Sequence, residues 1–336
     1  MSIIEEAKPD EILPIFRFGV ISDPQYVDTE DGTNYDKTII RRYRHSFEIL
    51  QAACAEFSKE ETTCNIVLGD TIDGKAGSLN IHEECLTQIL SHTALLSPGK
   101  WHFVIGNHDL YCFSRDKLKH RLYNHVQFSS RGDSKALYYD FVPFPGYRFI
   151  MLDAFDVSEF SSSKPEYRNQ AITLLNSKNP NYASGSSGWL DGLSDEDSRY
   201  TPANGGISAD QLAWLTGVLQ EAEIQHEKCI IFSHIATYGP CTQPSTLLWN
   251  SEEVLSVLQS SSSVVAVLAG HDHDGGYAQD EAGIHHLAPP APLECEVGEH
   301  AYGYVEVFAD HLELQWTGRV PQRTPWPTSM YYRPTP

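Results

Sequence analysis

With 336 residues, the chain is long enough to bury a core without disulfides or a structural metal. Its 45 Asp and Glu against 24 Lys and Arg leave a formal charge of −21, which disfavours long nucleic acids and anionic membranes as partners. No apolar run approaches the roughly 20 residues of a membrane span, and Met1 to Asp10 is polar and acidic, unlike a secretory signal. The seven cysteines are scattered with no C-x-x-C pair, as expected of a reduced, cytoplasmic protein.

Ile15 to Ile21 reads as a buried strand, with polar Asp23 just past its end. From Asp36 to Phe57, the residues Ile39, Tyr43, Phe47, Leu50, Cys54 and Phe57 recur at helical spacing and predict one amphipathic helix. A strand from Asn65 to Leu68 closes on Gly69-Asp70. A helix over 81–96 follows, then a strand from Trp101 to Ile105 that runs into Gly106-Asn107-His108-Asp109. Strands alternating with helices predict an α/β fold in layers. A hairpin is expected from Ala136 to Asp153, turning at Pro143-Phe144-Pro145-Gly146. Phe155 to Gly206, rich in Ser, Asn, Gly, Pro and acid, reads as a long irregular excursion over the site. Ser208-Ala209-Asp210-Gln211 has the form of a capping box opening a helix that carries Leu212, Leu215, Val218 and Leu219. Lys228 to Ser233 is a buried strand ending at His234, and Glu252 to Gln259 a short helix. Val264 to Ala269 is a strand ending in Gly270-His271-Asp272-His273. Tyr302–Phe308 and His311–Trp316 predict a closing hairpin, and the Pro-rich tail from Pro321 is expected on the surface. No linker divides the chain, so one domain over 1–336 is expected, with the excursion at about 155–206 and the tail at about 318–336.

Five of these strands share a design: an apolar run, a tight turn, then a side chain of metal-ligand type. They deliver Asp23 and Gln25, Asp70, Asn107 and His108, His234, and His271 and His273. In α/β sheets, groups at the carboxyl ends of strands converge on one crevice. Asp23-x-Gln25 and His271-x-His273 each skip one residue, which in extended backbone puts both side chains on the same face. Gly69, Gly106 and Gly270 each precede such a residue, where a sharp strand exit calls for positive φ or close approach. Each segment alone is ordinary turn chemistry; the ordered set D-x-Q, G-D, G-N-H-D, S-H, G-H-D-H is specific.

That set resembles the calcineurin-like metallophosphoesterases, whose pattern is D-x-H, G-D, G-N-H-[DE], a lone H and G-H-x-H. The resemblance runs from Ile15 to His273 and implies a central double β-sheet flanked by helices, holding two divalent metal ions. It implies that Asp23, Gln25, Asp70 and His273 hold the first ion and Asp70, Asn107, His234 and His271 the second, with Asp70 bridging. His108 is then a catalytic residue off the metals, giving a proton or hydrogen bond to the leaving oxygen. Two ions roughly 3.5–4 Å apart clamp the attacking and leaving oxygens of an in-line displacement and activate the attacking water. Gln25 departs from the pattern, standing where histidine is usual. An amide oxygen is a harder donor than imidazole, so manganese or magnesium is expected over zinc or iron.

The segment Gly69 to Lys75 reads G-D-T-I-D-G-K. It lacks the arginine of the Ser/Thr phosphatases, and Asp73 replaces the tyrosine of the purple acid phosphatases. The D-P-Q-Y start, the long excursion and G-H-D-H-D-G-G most closely resemble the manganese-dependent ADP-ribose/CDP-alcohol diphosphatases. That resemblance implies pyrophosphate cleavage of a small nucleotide substrate such as ADP-ribose, CDP-choline or CDP-glycerol by a monomer. The alternatives are a cyclic nucleotide phosphodiesterase or general phosphomonoesterase on the same site, or, more remotely, a non-catalytic scaffold. Tyr26, Tyr35, Tyr111, Trp189 and Trp249 are aromatics near the site; each is expected to be a packing residue, with stacking on a base as the alternative. Arg41, Arg42 and Arg44 cluster on a predicted helix after the first ligand loop, where a solvated face is expected and contact with phosphate is the alternative.

Overall fold

The computed structural model describes residues 13–96, 101–123, 126, 136–160 and 162–333. Two six-stranded sheets form its centre. In the first, β1 (Phe16–Ile21), β4 (Cys64–Val67) and β5 (Trp101–Phe103) run parallel. The strands β12 (Ala301–Val307), β13 (His311–Gly318) and β14 (Ser329–Tyr331) extend it antiparallel, in the order β14-β13-β12-β1-β4-β5. The second sheet contains β6 (Tyr139–Phe144), β7 (Tyr147–Met151), β8 (Lys228–Ser233), β9 (Val264–Ala269), β10 (Gly276–Gln279) and β11 (His285–Ala288). Its order is β10-β11-β9-β8-β7-β6, with antiparallel strands only at its edges. β9 is buried at every residue, the unbroken apolar run of a parallel strand covered on both faces. The sheets meet through aromatic rings: Phe18 lies 4.9 Å from Phe149 and 5.9 Å from Phe232 between ring centroids.

Helices α1 (Tyr43–Lys59) and α3 (His82–Leu96) pack on the first sheet's side, and α8 (Ala209–Ile224) and α9 (Ser251–Ser260) on the second's. The mixed α/β architecture expected from the alternating pattern is therefore present, and the strand ends that carry the motif residues all open on one side. The first helix begins later than its spacing predicts. The Asn34 side chain accepts from the amides of Thr38 and Ile39 at 2.9 and 3.0 Å, a local turn that competes with helix. A two-stranded ribbon, β2 (Gly32–Thr33) and β3 (Ile40–Arg41), occupies the chain instead. Arg41 consequently lies on β3 and not on a helix face.

Four further differences follow. The excursion is not irregular: α6 (Pro165–Lys178) and α7 (Pro180–Ala183) lie within it, each with Pro at its start. The longer, α6, buries only Ala171 and Leu175, against Trp249, so its apolar stripe is too thin to read. The short helices α2 (Gly74–Ser78), α4 (Asn107–Cys112) and α5 (Arg115–Leu122) carried no legible periodicity. The tail does not simply cover the surface, because β14 buries Met330 and extends the first sheet. Finally, the Ser208 hydroxyl caps α8 by accepting from the Gln211 amide at 3.1 Å. The Gln211 side chain turns away from the cap and bonds both backbone groups of Asp153 at the end of β7.

Candidate metal centre

Five strand ends, those of β1, β4, β5, β8 and β9, deliver the motif residues to one crevice. The backbone there is strained: Asp23, Gln25, Asp70 and His271 have φ of 46°, 43°, 49° and 68°. Non-glycine residues in the left-handed region cost on the order of 1–3 kcal/mol each and persist where surrounding structure holds them. The positive φ thus falls largely on the functional residues themselves. Gly69 shares it, with φ of 99°. Gly106 does not; it provides room, since a Cβ there would lie 2.0 Å from the Asp70 Oδ1.

The three histidines of the S-H and G-H-D-H segments have the same arrangement. Each ties one ring N–H to a protein oxygen and presents the other nitrogen's lone pair. His234 Nδ1 donates to the Leu68 carbonyl at 2.8 Å. His271 Nε2 donates to Asn204 Oδ1 at 2.7 Å, and the Asn204 amide is fixed because its Nδ2 donates to the carbonyls of Arg199 and Ser245. His273 Nδ1 donates to Glu294 Oε1 at 2.7 Å. Such outer partners set the tautomer of a metal-ligating imidazole. Burial, with the neighbouring histidines, pushes His271 well below its ordinary 6.5, and burial also lowers His234. For His273, burial is outweighed by Glu294, and its affinity for a proton is raised.

What the lone pairs face is the test of a metal. Among the described residues, His234 Nε2 meets acceptor oxygens: Asn107 Oδ1 at 3.1 Å, Asp70 Oδ2 at 3.5 Å and Asp23 Oδ1 at 4.0 Å. His273 Nε2 stands 3.7 Å from Asp23 Oδ1. An acceptor surrounded by acceptors is satisfied by a cation among them. Donor atoms of Asp70, His234 and His271 lie within 4.8 Å of one another. Gln25 points the same way. Its Nε2 meets Asp70 Oδ2 at 3.0 Å and His273 Nε2 at 2.9 Å, while its Oε1 is buried without a partner among the described residues. The reverse amide orientation presents Oε1 to the same space, as a ligand would. Burial, aided by Asp23 and Asp109 and opposed by His108, lifts Asp70 well above the carboxylate range, and a divalent cation reverses that effect. The donor set of carboxylates, amides and imidazoles fits hard or borderline divalent ions.

His108 stands in the first turn of α4, its amide donating to Asp70 Oδ1 at 2.8 Å. Its Nδ1 accepts from the Gly74 amide at 2.9 Å, which places the neutral ring's proton on Nε2. Asp73 Oδ2 lies 3.2 Å from the same Nδ1. Burial disfavours charge on His108, but Asp70 and Asp73 outweigh it and raise its affinity for a proton; in return Asp73 is held at about 2 against its own burial. Asp109 clamps the crevice floor, accepting from the amides of Thr71 and Ile72 with Oδ1 and from Gly106 with Oδ2.

Sequence reasoning did not single out the partners Asn204, Asp73, Asp109 and Glu294. Asp73 and Asp109 had a signal, as the remaining acids of the G-D and G-N-H-D segments; Asn204 and Glu294 had none. Among the aromatics, Tyr26 and Trp249 are core residues, 3% exposed each. Tyr111 lies beside the His108 ring at 5.2 Å, and Tyr35 is exposed, its hydroxyl 3.5 Å from the Ser187 carbonyl in the excursion.

The chain matches the family model described as calcineurin-like phosphoesterase over residues 16–275. It is 38% identical over 333 residues to a Mus musculus protein named manganese-dependent ADP-ribose/CDP-alcohol diphosphatase, covering 96% of each chain. It is 35% identical to an Arabidopsis thaliana protein of the same name, covering 91% of this chain and 96% of that one. Its fold matches the crystal structure of a dimetal phosphatase from Danio rerio with a TM-score of 0.89 and 33% identity, over 95% of this chain and 100% of that chain.

Proposed function

Because this chain belongs to the calcineurin-like phosphoesterase family and is a phosphohydrolase, we propose that it hydrolyses the pyrophosphate of ADP-ribose and of CDP-alcohols such as CDP-choline and CDP-glycerol. The products are a nucleoside monophosphate and a phosphorylated partner. The observation that carries the reading is His234 Nε2, whose lone pair, among the described residues, meets the oxygens of Asn107, Asp70 and Asp23. Asp23, Gln25, Asp70 and His273 would hold one divalent ion and Asp70, Asn107, His234 and His271 a second, with Asp70 shared. Bound there, such ions neutralise charge on the phosphoryl oxygens and activate water.

The protein's own groups do the rest. Leu68, Asn204 and Glu294 hold the imidazoles in the ligating tautomer. His108 Nε2–H donates to the oxygen that leaves as the bridging P–O bond breaks, while Asp73 stabilises the charged ring. Water's oxygen ends on one phosphorus and a proton on the departing phosphate. Gln25, a neutral oxygen donor, favours manganese; zinc, iron and magnesium are the competing occupants. A monomeric, cytoplasmic enzyme is the accompanying proposal. Among the described residues no helix is long and apolar enough to cross a membrane.

The test is a hydrolysis panel with manganese: ADP-ribose, CDP-choline, cyclic AMP and p-nitrophenyl phosphate. The diphosphates should rank first by kcat/KM. If cyclic AMP or the aryl phosphate ranks first, the substrate reading fails while the metal reading stands. No hydrolysis of any of the four would favour a non-catalytic scaffold.

A further inference from the structure

We propose that Arg41 receives the second phosphate of a diphosphate substrate, the one the metal ions do not hold. This rests on the pyrophosphatase reading above.

Arg41 ends the ribbon strand β3 and is 20% exposed. Its guanidinium lies between two carboxylates, with Nη1 3.6 Å from Asp73 Oδ2 and Nε 3.8 Å from Glu294 Oε1. Both distances are too long for hydrogen bonds. Its Nε is buried without a hydrogen-bond partner among the described residues. The same two oxygens hold the site histidines: Asp73 Oδ2 lies 3.2 Å from His108, and Glu294 Oε1 lies 2.7 Å from His273. The guanidinium therefore spans the flank between the proposed acid and a proposed ligand. The carboxylates position it by charge and leave its N–H fork free to donate. Arg42 donates to the Cys295 carbonyl and Glu296, Arg44 to Asp28 and Glu30, and Arg323 to Asp272 and the Gly275 carbonyl. Arg319 donates to Asp274 through Nη2, while its Nη1 is buried without a partner among the described residues; unlike Arg41, it has no ion pair within 4 Å of the carboxylates that hold His108 and His273.

A pyrophosphate brings two anionic groups one bridging oxygen apart. The ions compensate one of them. On this flank the other meets Asp73 and Glu294 in a chain of charge −21, so it needs a cation. A guanidinium fork matches two phosphate oxygens at once. A single-phosphate ester brings nothing for it to hold, so Arg41 separates diphosphates from simple esters.

The experiment compares wild type, Arg41→Gln and Arg41→Lys, all with manganese. kcat/KM is measured on ADP-ribose, CDP-choline and p-nitrophenyl phosphate, and inhibition by the non-hydrolysable α,β-methylene-ADP and by AMP. One lost charge-assisted contact corresponds to about 10–100-fold. Arg41→Gln should therefore lose at least tenfold more on the diphosphates than on the aryl ester, mainly in KM. It should also lose the wild-type preference for the methylene analogue over AMP. Arg41→Lys should recover part of both, and its ratios stand alone if the Gln variant does not fold. Equal losses on all substrates, or an analogue preference that survives in both variants, would overturn the assignment. Wild type that binds the analogue through Arg41 yet cleaves no diphosphate would refute the substrate reading alone.

Discussion

Asp70 is the residue on which both proposed ion sites depend. Its Oδ2 lies within 3.5 Å of Gln25 Nε2 and His234 Nε2, while its Oδ1 accepts the His108 amide. Asp70→Ala should abolish turnover and reduce bound manganese, measured by elemental analysis, by at least one equivalent. Full turnover in that variant would end the two-ion reading. His108 differs because its ring is held by Gly74 and Asp73 and not by the histidine cluster. His108→Ala should lower kcat by roughly 10²–10⁴-fold with both ions retained; loss of metal would instead make His108 a ligand. At Gln25 the expectation is selectivity. Gln25→His replaces a hard oxygen donor by imidazole and should move the preferred ion from manganese toward zinc or iron. An unchanged metal profile would show that the amide does not set it.

At the scale of elements, strand ends and helix starts fix the geometry, and polar side chains pin them. Gln211 ties the first turn of α8 to the end of β7, as Asp109 ties α4 to the loop after β4. The turn between β10 and β11 offers a separate, titratable example. Asp280 accepts from the Ile284 amide at 2.8 Å, Gln259 Nε2 at 3.0 Å and His286 Nε2 at 3.1 Å. Burial alone would raise this carboxyl, but the donors win and hold it at about 2, below its ordinary 3.8. A carboxyl with a depressed folded pKa lends stability that is present above 3.8 and lost as pH falls toward 2. Asp280→Asn should cost about 1–3 kcal/mol at pH 7 by chemical denaturation, and the gap from wild type should close between pH 4 and 2. A gap independent of pH would mean that shape, and not charge, matters at this turn.

Across the whole molecule, the excursion touches both the first ligand loop and the metal centre. Tyr35 reaches the Ser187 carbonyl, and Asn204, near the excursion's end, holds His271. Metals act alike on any phosphate, so selection among nucleotides must come from such walls. Tyr35→Ala and Trp189→Ala should change the ranking of ADP-ribose against CDP-choline more than they change hydrolysis of p-nitrophenyl phosphate. Uniform losses would mark both residues as supports of the fold. The same walls lie on an acidic body, which keeps polyanions away at long range while leaving local cations to act on a small substrate.

Where the chemistry sits along the chain is legible from local pattern. Apolar runs such as Lys228–Ser233 and Val264–Ala269 become the strands at those bounds, because a short buried strand leaves a local signature. The polar residue after each run is visible without knowing the fold. Tertiary structure alone decided the partners. Asn204 lies 67 positions from His271, and Asp73 lies 35 from His108. Glu294 is reached by Arg41 across the molecule. Hydrogen bonds between segments distant in sequence follow from how sheets and helices pack, and periodicity reports burial without saying what is met. The late start of α1 and the helix within the excursion have the same cause. One follows from an Asn34 turn that outcompetes a helical pattern, the other from a helix whose buried face is only two residues.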